Sequence, residues 1–267
     1  MNPMHLVYLY LLSPLHTGGT TQEGNLLGIA RESHTELPYI PSSSIRGRLR
    51  ASLSDDQAEQ YRLFGNEISA GSLEQGAIWI GDGSILWLPV PSLSHGVIWI
   101  SSPLLLKRWA RLSKVDCSIP DVSVRCFVHP ILATGKPVYL KDAILKPDQL
   151  QAWDEWQKFI PISDKSDIKR VIVLPDKHCA TLIQMSLWRQ VKIKLDEHKS
   201  VSSGSFRYEE AIPPDTLMYF PWGVTAQAKQ QQDTTRVFEG ILREHSLLQI
   251  GGQESLGRGF VQAWLAT

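Results

Sequence analysis

The residues with most chemical potential lie near the C-terminus, where Gly251, Gly252, Gln253, Glu254, Ser255, Leu256, Gly257, Arg258 and Gly259 follow one another. Four glycines in nine residues let a backbone come close to a phosphate, and successive bare N–H groups form an anion nest. Gly252 and Gly257 have P-loop spacing, but Arg258 and Gly259 stand where that motif needs Lys and Ser or Thr. A strand pattern follows instead of a helix, so nucleotide hydrolysis is excluded. Two readings of this loop stand level: a tight connection between strands, and backbone contact with a phosphodiester chain.

A second group of residues opens a helix. Ser42, Ser43 and Ser44 offer N-cap hydroxyls, and Arg46, Arg48 and Arg50 follow within two turns. Helix N–H groups beside hydroxyls and cations suit a phosphate as well as they suit a solvated face. Lys107, Arg108, Arg111 and Lys114 form another basic stretch without an acid, which complementing a helix C-terminus also explains. His16 heads a run, residues 16–28, with four glycines, and its imidazole suits proton transfer or a hydrogen bond to phosphate or ribose. Glu23, Glu209 and Glu210 are carboxylates near loops, fit to polarise a hydroxyl or hold Mg²⁺; plain solvation is the alternative. Cys117, Cys126 and His129, with a single Cys–Cys spacing of nine, do not complete a zinc site. No Ser-His-Asp order, HExxH, or GxGxxG after a strand occurs.

The elements that position these groups follow from hydrophobic pattern. Residues 4–12 form a buried strand ended by Ser13-Pro14, and residues 16–28 a surface loop. Ile45, Leu49 and Leu53 give the first helix its inward face, and Gly65 stops the segment. Residues 77–80 and 84–90 predict a hairpin turning at Gly81-Asp82-Gly83, with a third strand at 97–101 and a helix from Pro103. Residues 116–169, rich in Pro, Asp and Lys, predict an insertion of limited structure with a helical patch at 149–159. The alternation of Val191, Ile193 and Leu195 with a return over 205–211 predicts a protruding hairpin spanning 189–211. A helix over 234–245 and a strand over 260–265 close the chain. The strongest elements run strand, helix, two strands, helix, strand. That order predicts an α+β, ferredoxin-like βαββαβ core over one domain, 1–267, with the insertion before its last helix.

Composition limits the partners. The 267 residues carry 27 Lys+Arg and 27 Asp+Glu, with 43% hydrophobic residues, so the chain is globular and has no basic excess for strong solitary binding to nucleic acid. Three cysteines argue for a reducing compartment. The apolar start lacks a cationic leader pattern, and no run reaches membrane-span length, so a cytoplasmic chain without membrane contact is expected. Of the nine tryptophans, Trp222 after Pro221 is the one expected at the surface.

The segments SPLHTGG at 13–19, RESHTELPYIPSSSIRGRLR at 31–50 and GGQESLGRGF at 251–260 resemble the signatures of the RAMP superfamily. Residues 86–109, LWLPVPSLSHGVIWISSPLLLKRW, and 204–213, GSFRYEEAIP, are similar to the repeated backbone subunit of type III-B (Cmr) CRISPR effector complexes. The resemblance implies a ferredoxin-like palm with an insertion hairpin, and copies stacked head to tail along a crRNA guide beside other effector subunits. Target RNA would pair with that guide, the protein reading backbone shape and base pairing reading sequence. Gly18, Gly19, Ser42, Ser43, Ser44, Arg46, Arg48, Arg50, Gly251, Gly252, Gly257, Arg258 and Gly259 would then contact RNA. The resemblance further implies target cleavage by an Asp with Mg²⁺ or another divalent cation. His16, Tyr208 and Glu209 match positions near that cleavage site. Here the sequence departs from the pattern: Leu26 stands at the Asp position, and no aspartate occurs between His16 and Arg31, leaving Glu23 as the stand-in. A stand-alone RNA-processing nuclease is a further reading that the zero net charge disfavours.

Overall fold

The computed structural model describes residues 4–23, 26–66, 75–161, 168–193, 197–198, 201, 206–228 and 233–266, with 20–23 placed by backbone alone. In chain order the first half holds β1 (His5–Leu11), β2 (Gly18–Glu23), β3 (Leu26–Ile29), α1 (Ser42–Ala51), α2 (Gln57–Phe64), β4 (Ile78–Ile80), β5 (Ser84–Ser92), β6 (Gly96–Ser101) and α3 (Pro103–Ser113). The middle holds β7 (Cys126–Val128), β8 (Val138–Leu140), β9 (Ala143–Leu145), β10 (Leu150–Ala152) and β11 (Val171–Val173). After it come α4 (Asp176–Ser186), β12 (Trp188–Lys192), β13 (Arg207–Ala211), β14 (Leu217–Val224), α5 (Thr234–Glu244), β15 (Leu247–Gln249) and β16 (Phe260–Leu265).

Among the described residues, twelve strands form one sheet and four form another. The main path of the large sheet runs β10-β7-β11-β6-β5-β14-β1-β16-β15, so the apolar run of β1 lies between β14 and β16 and is buried on both faces. Val7, Leu9 and Leu11 face a core shared with Ile45 and Leu49 of α1, Phe64 of α2, Ile183 of α4 and Phe238 of α5. Leu6, Tyr8 and Tyr10 face the opposite cluster with Trp87, Trp109 of α3, Trp153 and Phe159. Two buried indole N–H groups there find acceptors, Trp87 Nε1 donating to the Phe159 carbonyl at 2.9 Å and Trp109 Nε1 to the Tyr8 hydroxyl at 3.1 Å. No helix among the described residues is long and apolar enough to cross a membrane.

Several local expectations are corrected. β4 and β5 are both antiparallel to β14 and therefore run in the same direction, so residues 77–90 do not form a hairpin. Gly81–Gly83 is a jog along one edge: Gly81 N–H donates to the Pro221 carbonyl at 2.8 Å, and Gly83 exchanges both backbone bonds with Ile40. The hairpin partner of β5 is β6. The helix after the serines ends at Ala51, and α2 is separate. Its N-cap is Pro41 with no side-chain cap, and the Ser42 N–H donates to Asp82 Oδ1 at 2.7 Å, so the three hydroxyls are not caps. The expected loop at 16–28 contains β2 and β3, and His16 and Thr17 are buried. Trp222 is fully buried against His5 and Phe238; the more exposed tryptophan is Trp79. Residues 149–159 are a short strand and a 3-10 turn rather than a helix, and they place Trp153 and Phe159 in the core.

Candidate functional site

The smaller sheet, ordered β12-β13-β3-β2, carries the chemistry. β12 and β13 pair antiparallel from Trp188–Ala211 to Lys192–Arg207; positions 194–196, 199–200 and 202–205 of the expected hairpin lie outside the described residues. β13 runs parallel to β3, with Tyr208 opposite Leu26 and Glu209 opposite Leu27. Successive residues of a strand point to opposite faces, so Glu209 and Glu210 serve opposite sides of this sheet.

Glu209 and Glu210 are both buried in ion pairs, so the alternative of plain solvation does not hold for them. On one face Glu209 accepts from Arg258 Nη1 at 2.9 Å and pairs with Lys192 Nζ at 2.8 Å. The Arg258 guanidinium, 4% exposed, lies 4.5 Å over the Trp188 ring, donates to Gln190 Oε1 at 2.8 Å and also binds Gln253. Burial pushes the Glu209 carboxyl up, but its bond to Lys192 and the charges of Lys192 and Arg258 outweigh this and hold it below the usual range. On the other face Glu210, 1% exposed, accepts from Arg31 Nη2 at 2.7 Å and from Arg189 Nε at 2.9 Å.

His16 ties this sheet to the glycine loop. Its Nδ1–H donates to the Glu210 carbonyl at 2.8 Å, and its own carbonyl accepts from Gly252 N–H at 2.9 Å. Gly251 has φ +84°, and a Cβ there would strike the His16 carbonyl; Gly259 has φ +78°, and a Cβ there would strike that of Ile250. Close strand crossing thus accounts for these two glycines, while Gly257, φ +72°, opens onto free space.

Beside Glu210 lies a cleft of about 620 Å³ lined by Gly18, Gly19, Leu26, Arg31, Arg189 and Pro41, the last opening α1. Of the helix arginines, Arg46 donates to the Phe64 carbonyl at the end of α2 and lies 5.5 Å over the Phe64 ring, while Arg50 lies 5.9 Å over Tyr61. Burial, helped by the Arg50 charge, lowers the Arg46 pKa. Glu23 sits in β2 opposite Leu26, and its side chain lies outside the described residues. Cys126 is buried and Cys117 partly so, and no group of three metal-ligating side chains occurs among the described residues. Arg31, Arg189, Lys192 and Trp188 complete the site although spacing alone did not single them out. Arg189 and Lys192 carried one signal, the concentration of cations from 189 onward, whereas Arg31 stood only within the segment at 31–50 and Trp188 carried none.

Three comparisons place this geometry. The chain is 30% identical over 281 residues, 98% of its length and 95% of the relative's, to the CRISPR system Cmr endoribonuclease Cmr4 of Pyrococcus furiosus. The crystal structure of oligomeric Cmr4 from that organism superposes with a TM-score of 0.74 at 27% identity, covering 100% of this chain and 98% of that one. A cryo-EM structure of Type III-B Cmr-beta bound to cognate target RNA contains a chain with the same fold, TM-score 0.79 at 20% identity, covering 98% of this chain and 97% of that one. The family model of the RAMP superfamily matches residues 8–262, and this chain belongs to the RAMP superfamily.

Proposed function

We propose that the chain is the repeated, crRNA-binding backbone subunit of a type III-B CRISPR effector, stacking in copies along the guide and positioning target RNA. The observation that carries this reading is the end-to-end match to Cmr4, 98% of one chain on 95% of the other. The order β16-β1-β14-β5, antiparallel throughout, with α1 between β1 and β5 and α5 between β14 and β16, supports a ferredoxin-like core. In this core β5 and β14 are the second and third strands, and residues 93–216 lie between them. Gly18, Gly19, the start of α1 at Ser42, Ser43 and Ser44, Arg46, Arg48 and Arg50, and the backbone of 251–259 contact sugar and phosphate without regard to base. Arg258 serves this surface by fixing the loop to Glu209.

The printed name of the relative favours a second reading, an active endoribonuclease. Tyr208, 47% exposed, pairs with Leu26 across β13 and β3, and Glu23 is the carboxylate nearest to Leu26 in sequence. A leucine neither binds metal nor moves a proton. The donor set described here does not fit a divalent cation, since Glu209 and Glu210 are each held by two cations. A reconstituted complex with end-labelled target RNA separates the readings. An intact target supports a scaffold that holds without cutting, and periodic cuts that vanish in Glu23→Ala support the nuclease.

A further inference from the structure

Helix α3 divides its cations between two jobs. Arg108 turns inward: its Nη1 donates to both oxygens of Glu32 at 2.7 and 2.9 Å, and its Nη2 to His34 Nε2 at 3.1 Å. Lys107 and Arg111, four residues apart on the outer face, and Lys114, the left-handed C-cap that follows the helix, are exposed, and their side chains make no hydrogen bond or ion pair with any described residue. Their span is about 10 Å at 1.5 Å per residue, close to the rise of roughly three nucleotides of one stacked strand.

The position of this face matters more than its charge. Glu32 and His34 belong to the turn after Arg31, and Arg31 and Glu36 line the cleft beside Glu210. Ion pairs thus link the cleft to the helix: Arg31 and Arg189 are held by Glu210, and Arg108 by Glu32 of the turn after Arg31, while Lys107 and Arg111 stand on the outer face of α3. Complementing the helix C-terminus explains Arg111 and Lys114 but not Lys107, which lies outside the last turn where the dipole acts. None of the exposed residues of α3 is a large apolar one, so the face lacks the anchor that a protein interface needs at its centre. A polyanionic backbone fits it better.

We infer that the outer face of α3 is a second RNA-backbone contact, which carries a single-stranded phosphodiester segment onward from the cleft. This rests on the reading of the chain as an RNA-binding subunit. The test uses the assembled complex carrying Lys107→Ala, Arg111→Ala and Lys114→Ala together, surface changes that leave Arg108 and the core in place. RNA affinity is measured against salt, and bound RNA is footprinted with a small nuclease. The expected result is a plot of log affinity against log salt shallower by about 2, from about 0.7 for each of three phosphates, and loss of protection over a few nucleotides. A wild-type complex that binds RNA, with unchanged slope and footprint in the triple variant, overturns this inference and leaves the proposed function standing. So does loss of copy-to-copy assembly at unchanged RNA affinity, which assigns the face to a protein neighbour. A wild-type complex that holds no guide RNA overturns both.

Discussion

The two sheets are held together by different physics. The large sheet has apolar packing on both faces, with Val7, Leu9 and Phe220 on one side and Tyr8, Trp87 and Tyr219 on the other. The small sheet has a pair of buried carboxylates, one to a face, clamped by Arg258 and Lys192 and by Arg31 and Arg189. Its outward side chains include exposed Val191 and Tyr208. Apolar burial involves no ionisable group, whereas ion pairs are screened by salt, titrate with pH and fix geometry more than they add stability. The sheet beside the proposed RNA contacts is thus the one whose shape is set by charge.

Four expected outcomes test that contrast, from the largest effect to the smallest. Phe238→Ala removes a buried ring packed edge-on against Trp222 at 4.6 Å and Phe64 at 6.2 Å, and should cost about 4 kcal/mol in denaturant unfolding. A loss under about 1 kcal/mol would show that the large sheet does not depend on this packing. Glu210→Gln leaves Arg31 and Arg189 without their carboxylate and should cost about 2 kcal/mol, less than a fully buried pair because Arg189 is more than half exposed. Hydrogen exchange should rise in β12 and β13 and stay flat in β1 and β14; equal loosening of both sheets would erase the distinction.

Arg46→Ala with Arg50→Ala should cost about 1 kcal/mol through the lost contact at the end of α2 and the two lost cation–ring contacts. It should also weaken RNA binding by the assembled complex without regard to sequence and flatten its salt dependence. An unchanged slope would make these arginines purely structural. Last, acid should act on the small sheet first. The folded Glu209 carboxyl lies below its ordinary value of 4.5, so its stabilising contribution is complete above that value and is lost as pH falls through the folded one. Exchange protection of β13 followed from pH 7 to pH 3 should fall ahead of that of β1. Simultaneous loss would speak against a charge-held small sheet.

The long, strongly patterned elements were legible in the sequence. The apolar run of β1, the i, i+4 spacing of Ile45 and Leu49, and the amphipathic α3 and α5 each state their own structure. Pairing was less legible, because whether residues 77–80 meet 84–90 or both meet 217–224 depends on a strand more than a hundred residues away. The site was legible in part. His16, Glu209 and the glycines stood out by type, but an arginine in a sequence does not say whether it faces solvent or, like Arg258, a buried carboxylate and an indole ring. Trp222 misled for the same reason: a proline before it marks a bend in most strands, yet Pro221 here leaves β14 unbroken.

The most direct measurement is native mass spectrometry, with RNA sequencing, of what this chain carries when purified with its effector partners at physiological salt. The account predicts several copies of the chain on one guide RNA of defined length, the RNA lost as salt rises. A chain that runs as an RNA-free monomer under those conditions would contradict it.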